Sequence, residues 1–225
     1  MPPVHISADV RKALARSTVA VLSVLLLSSC GAGDSEVKSA SLCETAASSE
    51  EGALLRKVLR ADDFETQISN NTSRFAKDLG RELAEMGPAQ ETLPSYACAY
   101  RPGPGVERVT FGFGWVPRAS KDVDRPLPKG VAYEMNGVAG ATNDTVTRLR
   151  VPCDMPGGLG EASKSAWLYA DASYTVNIGR SDVDQAALDR QTTLTYLMTR
   201  RVADALGCEN KPLEKAPVVK PAPTP

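Results

Sequence analysis

The chain has 225 residues, 42% of them hydrophobic, 24% charged and 5% aromatic, with a formal net charge of -1. That balance excludes a disordered or fibrous chain, and no apolar run reaches the roughly 18 residues that a multi-span membrane protein repeats. Near-neutral charge argues against a nucleic-acid binder, which carries a basic excess, and the length suffices for one ordinary core.

The first 29 residues have the layout of an export signal. Arg11, Lys12 and Arg16 stand against one acid, Asp9, and the apolar stretch Val19–Leu27 follows, broken by Ser23. A basic region, a short apolar region and small residues before a cut describe a secretory leader. As a helix the apolar stretch reaches only about 15 Å, roughly half the hydrocarbon core, too short for a stable span. Leu27-Ser28-Ser29-Cys30 ends the leader, and it resembles the lipobox of bacterial lipoproteins: leucine, two small residues and a lipidated cysteine. The resemblance implies diacylglycerol on the Cys30 sulfur and cleavage between Ser29 and Cys30, placing the chain on the outer face of the cell membrane. Two or three acyl chains anchor stably, each buried CH₂ contributing about 0.8 kcal/mol.

Residues 30–42 read as the lipidated cysteine and a small, polar, flexible tether. A folded domain is expected over 43–208. Leu54, Leu55, Val58 and Leu59 predict a helix over Glu50–Arg60. Phe75, Leu79, Leu83 and Met86 predict a second over about Ser73–Met86, capped by Asn71 or Thr72 and stopped at Gly87-Pro88. Tyr96, Cys98 and Tyr100 alternate with small residues as a strand, and Pro102-Gly103-Pro104-Gly105 turns the chain. Val109, Phe111, Phe113 and Trp115 alternate with Thr110, Gly112 and Gly114, a half-buried strand. After a charged, Pro-rich loop over Pro117–Lys129, short strands are expected at Val131–Met135, Thr145–Val151, Ala166–Ala170 and Tyr174–Ile178, with a turn at Asp171. A long helix, about Asp182–Leu206, closes the domain at Gly207. The fold class is α+β: an antiparallel sheet with N-terminal helices and one long C-terminal helix packed on it. Residues 209–225, with five prolines from Pro212 to Pro225, read as an extended, disordered or loosely attached tail.

Setting Cys30 aside leaves Cys43, Cys98, Cys153 and Cys208, an even number that in an exported chain reads as two disulfides. Three pairings are open. We expect Cys43–Cys98 and Cys153–Cys208, each tying a helical end to a strand end, for about 4 kcal/mol per bridge on the chain-entropy account. The cysteines are equally spaced, but Leu42-Cys43-Glu44 precedes a helical pattern and Pro152-Cys153-Asp154 a Gly-rich loop, so no repeat is implied. With no Cys-x-x-Cys and no histidine beside them, a zinc site is not expected.

The one histidine, His5, lies in the leader, so Ser-His and Cys-His couples are excluded from the exported domain. Gly158–Ser165 approaches a phosphate-binding loop, but Ser163 stands where the second glycine belongs and a strand pattern follows. Asp122/Asp124 and Asp182/Asp184 lack the remaining ligands of a calcium loop, and the second pair suits a helix start. Arg200-Arg201 complements the dipole at the end of the last helix. Phe111, Phe113 and Trp115 share a strand face; they are expected mainly in the core and are the candidates for lining a cleft that takes a small apolar or glycan ligand. The expected protein is thus no enzyme and holds no metal or cofactor. It is a membrane-anchored, non-catalytic module binding a ligand or envelope partner, with a structural or assembly accessory as the alternative. Its layout is similar to the small envelope lipoproteins of high-GC Gram-positive bacteria.

Overall fold

The computed structural model describes residues 41–120 and 126–222; the leader, Cys30, residues 31–40 and Asp122/Asp124 lie outside them. Helix α1 (Glu50–Leu59) starts where Ser49 Oγ accepts from the Gly52 N–H, with Glu50 and Glu51 at its positive end. The edge strand β1 (Glu65–Ser69) follows, and then helix α2 (Thr72–Glu85), capped by Asn71. Strands β2 (Ser95–Arg101), β3 (Val109–Pro117), β4 (Val131–Met135), β5 (Val138–Thr142) and β6 (Val146–Val151) lead to a short helix α3 (Gly160–Lys164). Strand β7 (Ala166–Tyr174) and the long helix α4 (Gln185–Leu206) complete the order. Asp184 caps α4 and Gly207 ends it in the left-handed region.

The seven strands form one sheet, ordered β1-β2-β3-β7-β6-β5-β4, with every neighbouring pair antiparallel. The α+β class with helices on the sheet and two disulfides is therefore what the chain folds into. β7 enters between β3 and β6, so the sheet is assembled from strands far apart in sequence. Its inner face carries Cys98, Tyr100, Phe111, Phe113, Trp115, Leu168, Tyr174, Leu149, Tyr133 and Met135, all buried. Edge-to-face aromatic pairs run along it: Phe64–Tyr100 at 5.8 Å between centroids, Tyr100–Phe111 at 6.2 Å and Phe111–Tyr174 at 6.4 Å. α2 seals Trp115, whose Nε1–H donates to Leu79 O at 2.9 Å. α4 brings a buried polar seam. The Tyr174 hydroxyl donates to Gln191 O at 2.8 Å and lies 2.7 Å from Thr195 Oγ1, and Thr142 and Thr192 hydroxyls meet at 2.7 Å.

The disulfides pair Cys43 with Cys98 and Cys153 with Cys208, at Cα separations of 5.4 and 5.0 Å. The first fixes the chain before α1 to β2; the second fixes the end of β6 to the end of α4.

Several local expectations change. β3 is buried along its whole length rather than half-buried, because Thr92–Tyr96 crosses its outer face. A Cβ on Gly112 would stand 3.1 Å from Pro94 Cβ, and one on Gly114 would stand 2.7 Å from Thr92 Oγ1, so the crossing needs bare backbone there. The strand expected at Ala166–Ala170 runs on through Asp171 to Tyr174 as β7, since Asp171 points outward opposite Arg148 instead of making a turn, and the strand expected at Tyr174–Ile178 is instead a 3₁₀ turn over Thr175–Asn177. Two strands had not been expected, β1 and β5. The second forms a hairpin with β4 through Asn136-Gly137, both at positive φ (52° and 82°), the pattern of a type I′ turn.

The domain boundaries also widen. Leu42 is buried, and its N–H donates to Asn70 O at 3.3 Å, so the tether ends before it. The tail is extended, as its prolines require, yet docked rather than loose. Leu213 is 1% exposed, Tyr196 OH donates to Lys215 O at 3.1 Å and Asn136 Nδ2 to Ala216 O at 3.0 Å. Ala222 N–H then donates to Ala132 O at 2.7 Å, beside a bridge between Tyr133 and Pro221, covering part of the β4 edge. An uncovered edge would present unpaired backbone groups to other chains. Arg201 likewise has another task than the helix dipole. Its guanidinium donates to Leu42 O and Glu44 O and pairs with Glu51 at 3.5 Å, tying α4 to the chain before α1.

Candidate functional site

The aromatic trio Phe111, Phe113 and Trp115 is 1%, 0% and 0% exposed, beneath the helices, with no surface left to present to a ligand. These are core positions, Phe113 meeting Phe75 of α2 edge-to-face at 6.2 Å. The four domain cysteines sit in the two disulfides, and Cys30 lies outside the described residues. Asp182 is held by Arg60 at 2.6 Å and Arg180 at 3.0 Å, whose hydrogen bonds keep its carboxyl well below the usual carboxylate range; Asp184 is a helix cap. The Gly158–Ser165 segment is a 3₁₀ turn followed by α3, with Ser163 Oγ donating to Gly160 O and accepting from Met155 N–H. Its glycines line no phosphate cradle.

A cleft of about 500 Å³ opens instead between α2 and the ends of β1 and β2. Its wall on α2 is polar because that helix is strongly amphipathic: Phe75, Leu79 and Leu83 turn to the core, Arg74, Asp78 and Arg81 turn away, and Glu82 stands at the boundary. Asp78 lies 3.0 Å from Arg81 Nη2 and 4.0 Å from Arg74 Nε. Glu82 faces β2, where Ser95 Oγ donates to its Oε1 at 2.8 Å, while its Oε2 is buried without a hydrogen-bond partner. An acceptor removed from water with nothing to bond is costly, by roughly 1–3 kcal/mol and more for a charged group.

Tyr96 of β2 lines the cleft at its end, but its side chain turns to the other face of the sheet. β2 carries a bulge at Ala97: Tyr96 pairs with Gly112, but Cys98 pairs with Phe111. The bulge moves Tyr96 to the face opposite Cys98 and Tyr100, so the alternation legible in sequence misplaces it. Its ring lies by Gly112, with Cδ1 3.4 Å from where a Cβ would stand, and it is 60% exposed. Asn70 Nδ2 donates to Tyr96 O at 2.7 Å and to Ala97 O at 3.3 Å, holding the bulge from β1's side. The capping Asn71 forms an antiparallel bridge with Ser41. Sequence reasoning missed Glu82, Ser95 and Tyr96 as a group; the polar face of α2 looks like any solvated helix face.

A second polar cluster occupies the outer face of the sheet. Tyr169 OH donates to Asp171 Oδ2 at 3.1 Å, and Arg148 Nε reaches the same oxygen at 3.2 Å. Burial, and then the Asp171 charge, push the Tyr169 hydroxyl well above the ordinary tyrosine range. Nearby, the Arg118 guanidinium stacks 4.3 Å over the Trp167 ring. Each of these groups satisfies another, which is how a solvent-facing sheet surface holds itself together.

What the cleft offers chemically is hydrogen bonding. Ser95 and Glu82 are bonded, but a carboxylate is a weak base toward a serine hydroxyl, and the described residues contain no imidazole. Among the described residues no three His, Cys, Asp or Glu side chains gather to hold a metal ion, and no helix is long and apolar enough to cross a membrane. Comparison with protein-family models, curated proteins and solved structures finds no match to this chain.

Proposed function

We propose that this protein is an exported, lipid-anchored binding module of the cell envelope, with the cleft between α2 and β1–β2 as its ligand seat. The observation that carries the binding reading is the open cleft of about 500 Å³ whose wall sets Arg74, Asp78, Arg81 and Glu82 of α2 beside Ser69, Asn71 and Ser95. The volume falls within the range of small-molecule sites.

Two disulfides support export, since they persist in oxidising compartments. The leader and Leu27-Ser28-Ser29-Cys30 support lipidation at Cys30.

The anchor is tested by growing cells with an alkyne-bearing palmitate and measuring label on the purified chain. Label is expected on the full chain and absent from Cys30→Ala; equal labelling, or a Cys30→Ala chain that stays with the membrane, refutes lipidation there. The binding reading is tested by purifying the full chain from membranes in mild detergent and identifying what comes with it by native mass spectrometry. A small molecule retained by the unaltered chain and lost from Arg74→Gln/Arg81→Gln is expected. Identical retention by both refutes the cleft as the seat.

A further inference from the structure

We infer that the contact between α1 and α4 forms a phosphate-binding crevice, in which Lys57, Arg60 and Arg190 take the terminal phosphate of a small phosphorylated molecule. The crevice is separate from the cleft on α2 and shares no residue with it.

The two ends of this helix contact differ in charge. At one end Glu51 of α1 meets Arg201 of α4 at 3.5 Å. At the other end Lys57 and Arg60, where α1 stops, line one crevice with Arg190 from the second turn of α4. Like charges gathered at a helix contact weaken it unless something neutralises them. No carboxylate lines the crevice, and among the described residues neither Lys57 nor Arg190 forms an ion pair. Arg60 is bonded to Asp182 at 2.6 Å, but that carboxylate also serves Arg180 at 3.0 Å. The dipole at the end of α1 accounts for Lys57. It does not account for Arg190, which is half-buried and lies toward the positive end of its own helix. Two unpaired cations and a third with a shared partner therefore converge where the fold supplies no anion.

The shape of the crevice selects among anions. Ala187, one turn before Arg190 on the same face of α4, is too small to fill the contact. Asn177 and Gln191 are buried and spend their amide N–H groups on Asp144 O, at 2.9 and 3.3 Å, so they form wall and offer nothing to a ligand. The enclosed volume is about 10 Å³, room for one oxygen atom. A carboxylate that inserts one oxygen keeps a single oxygen for the cations at the mouth. A phosphate diester keeps one charged oxygen as well. A terminal phosphate that inserts one oxygen keeps two charged ones, and its charge of about -1.5 to -2 matches the two unpaired cations.

The test is isothermal titration of the detergent-solubilised full chain, at fixed ionic strength, with inorganic phosphate, glycerol 3-phosphate and the diester glycerophosphoglycerol. The first two are expected to bind, and the diester to bind about tenfold more weakly or not at all. Lys57→Gln and Arg190→Gln should each weaken phosphate binding about tenfold, the size of one hydrogen bond to a charged group. Lys211→Gln, exposed elsewhere on the domain, should leave it unchanged. Thermal melts confirm that each variant folds; phosphate should raise the Tm of the unaltered chain and of Lys211→Gln but not that of Arg190→Gln. Equal binding of the diester overturns the inference. So does phosphate binding that Lys57→Gln and Arg190→Gln both retain; if it is lost from Arg74→Gln/Arg81→Gln instead, the anion belongs to the cleft on α2. No binding of any probe overturns the inference and leaves the reading of the cleft as it stands.

Discussion

Replacing Gly114 with alanine isolates the contact that holds the Thr92–Tyr96 segment across β3. The new Cβ would stand 2.7 Å from Thr92 Oγ1, closer than real Cβ contacts come. That hydroxyl cannot simply rotate away at no cost, because it accepts from the Trp115 N–H at 2.8 Å in the middle of a buried strand. The Thr92 N–H donates back to Trp115 O at 2.9 Å, so moving Thr92 strains both bonds. Overpacking of this kind costs about 1–3 kcal/mol, and a buried N–H left without its acceptor about 1–2 kcal/mol more. Alanine's advantage over glycine in a strand returns less than about 1 kcal/mol. Gly114→Ala is therefore expected to lower stability by about 2–4 kcal/mol. Thr92→Ala, which only removes the acceptor, should cost about 1–2 kcal/mol. In the double variant the clashing atom is gone, and the next neighbours, Thr92 O and Leu93 O at 3.4 and 3.5 Å, are ordinary contacts. Its stability should match Thr92→Ala alone. Urea unfolding of the four proteins with disulfides intact, followed by far-UV circular dichroism, measures the cycle. If the two losses simply add, or if Gly114→Ala is neutral within about 0.5 kcal/mol, the crossing segment is not held as argued.

Three further outcomes are expected. Alkylation of the folded, unreduced domain should label none of Cys43, Cys98, Cys153 and Cys208 by intact mass, and Cys153→Ser/Cys208→Ser should lower stability by about 4 kcal/mol; labelling of a pair would contradict the bridges. Burial first of all raises the hydroxyls of Tyr174, Tyr133 and Tyr169 above their ordinary value of 10.0, so the fold binds their protons more tightly than the unfolded chain. The stability they contribute is complete below pH 10 and is lost as pH rises above it; in Tyr96→Phe, which lacks the exposed tyrosine, tyrosinate absorbance should therefore appear together with loss of structure, and its appearance in a still-folded protein would count against burial. Leu213→Ala should cost roughly 2–5 kcal/mol in the same urea assay if the tail is docked as described, and almost nothing if it is loose.

Much of the fold was legible because its signals are local. The helices at Glu50–Leu59 and Thr72–Glu85 announce themselves by apolar spacing and by Ser49 and Asn71 at their starts. The expected pairing of the cysteines is also the one formed. Less legible were β1, whose five residues are all exposed, and β5, built of small residues, although Asn136-Gly137 was a usable hairpin signal. Asp171 looked like a turn because a lone carboxylate in a strand makes sense only once Arg148 lies across from it.

The site was the least visible part. In the sequence Phe111, Phe113 and Trp115 are the conspicuous aromatics and Tyr96 is one residue of an alternating strand. Periodicity reports which residues share a face of one element, and it places these three together correctly. It does not report what lies over that face, where α2 meets Phe113 and Trp115 and all three are buried. Nor does it reveal a bulge, which is a mismatch between two strands rather than a property of either. The sequence by itself thus determined the helices, most strands and the two staples, since composition and nearest-neighbour spacing suffice for them. Only the tertiary structure decided which aromatic meets solvent, that Glu82 faces Ser95, and that the Pro-rich tail lies along β4. Each of those depends on pairing between residues distant in the chain.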